Sequence, residues 1–139
     1  MIDRLHLETY LAGVTQRSTP HEAHLILMRF MCRCLSLVQH VVPETGRKAF
    51  NLAASFWLED EGAAQGLLAA RIECWSYLDA KCRSTDINDV QDAAMRALIC
   101  VLYAEPESED FSADTVRWFA DMFDQLGQFS EEAAQLMTD

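Results

Sequence analysis

The sequence predicts an all-α fold, a single-domain bundle of six or seven mostly antiparallel helices over residues 1–139. Three observations predict it. Apolar residues recur at the helical period in every segment of the chain. Strand signals are scarce, because no β-branched run alternates with polar residues and no Asn-Gly or Asp-Gly turn occurs. The connections are short, so consecutive helices are expected to lie antiparallel.

The first half of the chain contains three of the predicted helices. The first covers about residues 3–14. The second begins clearly, because Thr19 can cap it, Pro20 takes the first helical position and Glu22 completes a capping box. It is expected to reach about residue 41 and to lie centrally, since apolar side chains cover most of its circumference. The third covers about residues 44–58.

The second half contains four further predicted helices. The fourth covers about residues 63–82, and the fifth runs from a cap near Asp86 to Ala104. Between Arg96 and Glu105 the chain carries no charge, so this part is expected to be deeply buried. The sixth covers about 113–126, capped by Ser112 and ended by Gly127, and a short seventh follows Ser130.

The charge of the chain is strongly negative and unevenly distributed. The formal net charge is -11, with 22 acidic and 11 basic residues. From Glu105 onward there are ten carboxylates and one arginine, a net charge of -9. Residues 1–104 contain the other twelve carboxylates and ten basic residues, a net charge of -2. This charge balance argues against binding to nucleic acid or to anionic membranes, because a protein that binds either one needs a basic surface. It favours a partner with a basic surface.

The five cysteines predict free thiols rather than a disulfide framework. Their number is odd and their positions fall within predicted helices. Buried thiols suit a reducing compartment, so the expected localisation is cytoplasmic. The acidic N-terminal stretch does not resemble a signal peptide, and no uninterrupted apolar run is long enough to span a membrane.

Histidine and cysteine pairs are the candidates for metal binding or catalysis. His21 and His24 share a helix face at i, i+3, but their spacing differs from the HExxH pattern of zinc enzymes. Cys32 and Cys34 point to opposite sides of their helix, so they cannot share one metal ion. We therefore predict no metal, no cofactor and no catalytic residue.

Arg71 is a cation within an apolar stripe of the fourth helix, and it needs a partner. A stack on Trp75, one turn away, is one expectation. Pairing with a carboxylate is another, and the candidates are Asp60, Asp79 and Asp92. A structural role is preferred over a role in anchoring a ligand.

Two acidic surfaces are the candidate binding sites. On the sixth helix, carboxylates face one side, apolar residues face the other, and Trp118 falls at the border. Aromatic side chains supply contact area and carboxylates steer a basic partner. The first candidate surface comprises Glu105, Glu107, Glu109, Asp110, Asp114, Trp118, Asp121 and Asp124. The second is the turn formed by Glu59, Asp60 and Glu61.

Residues 47–104 carry a pattern made of Arg47-Lys48-Ala49, Leu52-Ala53, Trp57-Leu58, Leu67-Leu68, Ala70-Arg71, Trp75 and the stretch from Asp92-Ala93-Ala94 to Arg96-Ala97. This pattern resembles small all-helical bacterial immunity proteins of polymorphic toxin systems. The resemblance implies a cytosolic protein that binds and neutralises a cognate toxin. No binding residue carries over from it, because immunity families differ in the surface that they use.

The leading hypothesis is a non-enzymatic acidic binding protein, an immunity protein that occludes a bacterial toxin. One alternative is a cytosolic secretion chaperone or adaptor for an effector, whose binding would depend weakly on salt. Another is a helical enzyme that uses His21, His24 or a cysteine. The sequence leaves open whether the protein forms a homo-oligomer.

Overall fold

The computed structural model describes residues 1–80 and 89–137, and every secondary-structure element in this part is a helix. Seven α-helices and one short 3-10 helix are present there, which confirms the predicted fold class. The α-helices are α1 (Arg4–Arg17), α2 (Pro20–Ser36), α3 (Glu44–Leu58), α4 (Ala64–Ala80), α5 (Val90–Ile99), α6 (Phe111–Phe123) and α7 (Ser130–Leu136). The 3-10 helix (Gln39–Val41) lies between α2 and α3.

Helix α2 is central, as its composition predicts. It contacts α1, α3, α6 and α7, and nine of its side chains are buried. The expected capping box is present: Thr19 Oγ1 accepts from the Glu22 amide at 3.1 Å, and the Glu22 carboxylate accepts from the Thr19 amide at 3.0 Å. The helix ends at Ser36 rather than near residue 41, and i→i+3 bonds then lead into the 3-10 helix.

Helix α5 lies in the core, and every residue from Ala93 to Leu102 is buried. Its predicted end at Ala104 was wrong, because the helix stops at Ile99. Two carbonyls beyond this end accept bonds from other helices. Trp57 Nε1 donates to the Val101 carbonyl at 2.8 Å, and His24 Nε2 donates to the Tyr103 carbonyl at 2.7 Å. These tertiary bonds replace the helical bonds that a longer α5 would make.

The start of α5 differs from the predicted cap. The Asp89 side chain caps the helix by accepting from the Gln91 amide at 2.8 Å. The predicted cap near Asp86 and the predicted end of the fourth helix at residue 82 lie outside the described residues.

The prediction that Ser112 caps the sixth helix was wrong. The helix begins at Phe111, so Ser112 lies inside its first turn and is buried. The Ser112 hydroxyl faces α2, where its oxygen lies 2.7 Å from His24 Nδ1. Because the carbonyl of Tyr103 can only accept, His24 Nε2 carries the proton, and the Ser112 hydroxyl donates to Nδ1.

Helices α1 and α6 are joined by ion pairs at the surface. Arg4 contacts Asp121 and Asp124, each at 2.8 Å. On the next turns, Arg117 bonds Glu8 through two nitrogens at 2.8 and 2.9 Å. Glu8 holds the pKa of Arg117 above its usual range, and Arg117 lowers the pKa of Glu8.

Candidate functional site

The two predicted acidic surfaces meet at one cavity. The acidic turn (residues 59–62) follows α3, and the acidic loop (residues 105–110) connects the end of the α5 segment to α6. Asp60 from the turn and Glu105 from the loop border the same cavity of about 390 Å³. This space, called the aromatic cavity below, is lined by His21, Glu22, His24, Leu25, Phe56, Trp57, Asp60, Gly62, Ala104 and Glu105.

The floor of the aromatic cavity is apolar and well supported. Phe56 and Trp57 are in edge contact, with ring centroids 4.7 Å apart and planes at 88°. The Trp57 indole is fixed by its bond to the Val101 carbonyl and by contact with the His24 ring, with centroids 5.6 Å apart and planes at 75°. His24 is itself buried and bonded at both ring nitrogens. The floor is therefore held by one hydrogen bond to the Val101 carbonyl and by contact with a histidine that is itself fixed at both nitrogens.

The acidic turn has a defined backbone. The Glu59 and Glu61 amides both donate to the Ser55 carbonyl, at 3.2 and 2.8 Å. Asp60 lies at φ 57° and Gly62 at φ 95°, in the left-handed region that glycine, Asn and Asp adopt most readily. Glu59, Asp60 and Glu61 are all exposed, as the sequence predicts.

The predicted site residues of the C-terminal quarter fall into two groups. Glu105, Glu107, Glu109 and Asp110 are exposed on the acidic loop. Glu105 lies 3.4 Å from His21, and both side chains are mostly in solvent. The α6 carboxylates are instead engaged within the protein. Asp121 and Asp124 pair with Arg4, Asp114 pairs with Arg117 at 2.7 Å, and Asp124 also accepts from the Ile2 amide at 2.8 Å.

Trp118 lies apart from the aromatic cavity. It is 37% exposed and borders a second, more open depression of about 310 Å³, beside Tyr103, Phe111 and Asp114. The structure therefore places Trp118 and the acidic turn at different depressions. Tyr103 and the acidic loop lie between them.

Arg71 has a partner that sequence reasoning missed. Its guanidinium lies 4.1 Å from the centroid of the Tyr103 ring, an aromatic partner other than the expected Trp75. Tyr103 also contacts Phe111, with ring centroids 5.1 Å apart, and its carbonyl accepts from His24. Arg71 and Tyr103 lie 32 positions apart in the sequence, and no local pattern indicates that they meet. A groove of about 210 Å³ beside this stack is bordered by Glu105 and Glu107.

The histidines and cysteines of residues 1–80 and 89–137 are distributed over several helices. No group of three or more His, Cys, Asp or Glu side chains there could hold a metal ion. Burial raises the pKa of the Cys32 and Cys74 thiols to about 12 and raises those of Cys34 and Cys100 well above the usual range. Thiols with such raised pKa values are poor nucleophiles. Cys82 lies outside the described residues.

Comparisons with known proteins show no relationship: no family model, curated protein or solved structure matches the chain. The resemblance to immunity proteins thus stays a prediction. Within the described part of the chain, no helix has both the length and the hydropathy needed to cross a membrane.

Proposed function

We propose that this chain is a non-enzymatic binding protein whose acidic face captures and occludes a basic partner protein. The observation that carries the proposal is the position of Asp60 and Glu105. They lie 45 positions apart in the sequence, yet they border the same aromatic cavity. Through them the acidic turn and the acidic loop form one face, called the acidic face below.

The charges on this face are available to a partner. The turn contributes Glu59, Asp60 and Glu61, and the loop contributes Glu105, Glu107, Glu109 and Asp110, all exposed. Clustered carboxylates next to an apolar depression attract basic surfaces over a screening length that depends on the salt concentration. They therefore raise association rates. Apolar contact with the cavity then slows dissociation.

A toxin inhibitor is the specific form of this function that we propose. The partner would be a bacterial toxin with a basic active-site cleft, and the complex would form in the cytoplasm. An inhibitor of this kind needs no chemistry of its own, only a complementary surface that covers the cleft. The buried thiols and the fully bonded His24 are consistent with a protein that works by binding.

A capture experiment with matched variants tests the proposal. The tagged protein is used to isolate partners from its native cell at low and high salt, and the affinity of the captured protein is then measured. The test variant Glu107→Gln/Glu109→Gln neutralises two loop carboxylates. The control variant Glu131→Gln/Glu132→Gln makes the same chemical change on two exposed residues of α7.

We expect one stoichiometric partner with a basic surface, lost at high salt. The loop variant should bind it about tenfold more weakly, and the α7 variant should bind it like the wild type. Equal affinity of the two variants would overturn the assignment of the acidic face. A complex that survives high salt would point instead to the chaperone or adaptor alternative, in which apolar contacts dominate.

A further inference from the structure

The aromatic cavity has the chemistry of a site for one particular kind of group. Its floor presents the half-buried ring of Phe56 and the fixed indole of Trp57. Its rim carries the carboxylates of Asp60 and Glu105 on two separate segments of the chain. A group that fits the aromatic floor and the carboxylate rim must be cationic and must also have flat, weakly hydrated faces.

The rim carboxylates lack a strong partner in the described contacts. Glu22 also borders the cavity, but it is committed to the capping box with Thr19. Within the described part of the chain, Glu105 pairs with the exposed imidazole of His21 at 3.4 Å. No lysine or arginine is among the described residues that line the cavity. Arg29 is close by, but its Nε bonds the Trp57 carbonyl at 2.8 Å and its side chain does not border the space.

The guanidinium group of arginine matches these requirements better than the ammonium group of lysine. It is planar, it is weakly hydrated, and it stacks on aromatic faces while its edge bonds carboxylates. The protein already contains one such stack, with Arg71 lying 4.1 Å above Tyr103. The cavity volume of about 390 Å³ is suited to a single side chain or a small ligand rather than a folded segment.

We propose that the aromatic cavity binds the guanidinium group of one arginine side chain of the partner. The group stacks against Phe56 and pairs with Asp60 and Glu105. This inference rests on the proposed function, because it takes the arginine to belong to the basic partner that the acidic face captures. It makes the cavity the anchor of that interface, with the other loop carboxylates steering the approach.

A titration with small probes tests the site without any partner. The probe is Nα-acetyl-arginine N-methylamide, followed through backbone and indole NMR signals of the full chain. The citrulline analogue has nearly the same shape without the charge, and the lysine analogue has the charge without the plane. For so small a ligand we expect a dissociation constant on the order of 1–10 mM.

The expected result is a saturable set of shifts at the acidic turn, the start of the acidic loop and the Trp57 indole, with little response to citrulline. Asp60→Asn and Glu105→Gln should each weaken binding by about fivefold. Asparagine tolerates the left-handed backbone at position 60, so the first variant should keep the turn. Glu131→Gln on α7 is the control and should leave the titration unchanged.

Three results would overturn the proposal. Shifts that do not saturate, or that cluster around Trp118, would place the probe elsewhere. Equal binding of citrulline would remove the role of the carboxylates. Equal binding of the lysine analogue would show that the site recognises positive charge alone and is not specific for the guanidinium group.

The titration and the capture experiment distinguish an error in the arginine site from an error in the proposed function. If arginine does not bind but the captured partner still responds to Glu107→Gln/Glu109→Gln, only the anchor is wrong. If arginine binds but no partner responds to the acidic loop, the proposed function is wrong and the cavity is a site for a small guanidinium ligand.

Discussion

His24 on α2 and Ser112 on α6 are joined by a hydrogen bond of 2.7 Å between side chains that are both buried. The other ring nitrogen of His24 bonds the Tyr103 carbonyl at 2.7 Å. One imidazole thereby connects the N-terminal half of α2, the first turn of α6 and the segment that leads into the acidic loop. The same ring also packs against Trp57 in the floor of the aromatic cavity.

Removal of the Ser112 hydroxyl should destabilise the fold. Ser112→Ala leaves His24 Nδ1 buried without its donor, so we expect a loss of about 1–3 kcal/mol in the free energy of unfolding. Urea denaturation measures this loss. Ser108→Ala is the control, because Ser108 is exposed and should change stability by less than about 0.5 kcal/mol. Equal effects of the two substitutions would contradict the buried bond.

The contribution of His24 to stability should be lost as the pH drops below about 6.5. Burial lowers the pKa of His24 below its ordinary value, since the folded state disfavours the charged ring. The contribution is complete above the unfolded pKa of about 6.5. This stabilisation is lost as the pH falls from the unfolded pKa through the lower pKa of the folded state, because the unfolded chain binds the proton first.

Urea denaturation across this pH range separates His24 from the other histidines. His24→Gln should lower stability at pH 7 and should flatten its pH dependence, by at most about 1.4 kcal/mol per pH unit. The exposed His6, His21 and His40 are present in both proteins, so they cancel in the comparison. An unchanged slope in the variant would contradict the role of His24.

Gly46 allows α3 to pack closely on α5. A Cβ at this position would lie 2.5 Å from Val42 Cγ1 and 2.6 Å from Met95 Sδ, and both of these side chains are buried. Gly46→Ala should therefore cost about 1–3 kcal/mol, despite the better helix propensity of alanine. Thermal unfolding measures the effect.

Gly66 provides the matched control within α4. A Cβ there meets nothing within 4 Å, so Gly66→Ala should stabilise the protein by about 0.5–1 kcal/mol. If both alanine variants gained stability, the close approach of α3 and α5 would be wrong.

The four described thiols should be inert in the folded protein. Cys32, Cys34, Cys74 and Cys100 are buried and their pKa values are raised, so the thiolate fraction at pH 8 is very small. In a Cys82→Ser background, reaction with a disulfide reagent should be slower than in urea by on the order of 100-fold or more. Fast labelling of the folded chain would revive the hypothesis of a cysteine enzyme.

Local signals in the sequence located most of the helices. The capping box at Thr19 and Glu22 defines the start of α2 correctly because all of its partners lie within three residues. The limits of α3 were also predicted correctly, at residues 44–58. Such elements depend on propensity and caps, which are properties of neighbouring residues.

The errors occur where distant residues determine the backbone. The early end of α5 depends on donors from Trp57 and His24, and the position of Ser112 depends on His24. The aromatic cavity has the same origin, because Asp60 and Glu105 border one space only when α2, α3 and the acidic loop have packed together. Composition indicated that both segments were acidic, but no local pattern indicated that they meet.

The salt dependence of association tests the acidic face most directly. With the captured partner, the association rate constant is measured from about 0.02 to about 0.5 M salt, over which the screening length falls severalfold. The wild type should lose about tenfold or more in this rate, while dissociation changes little. The variant Asp60→Asn/Glu105→Gln/Glu107→Gln/Glu109→Gln should show a much flatter dependence. An association rate that is independent of salt, or equally steep in the variant, would contradict capture by the acidic face.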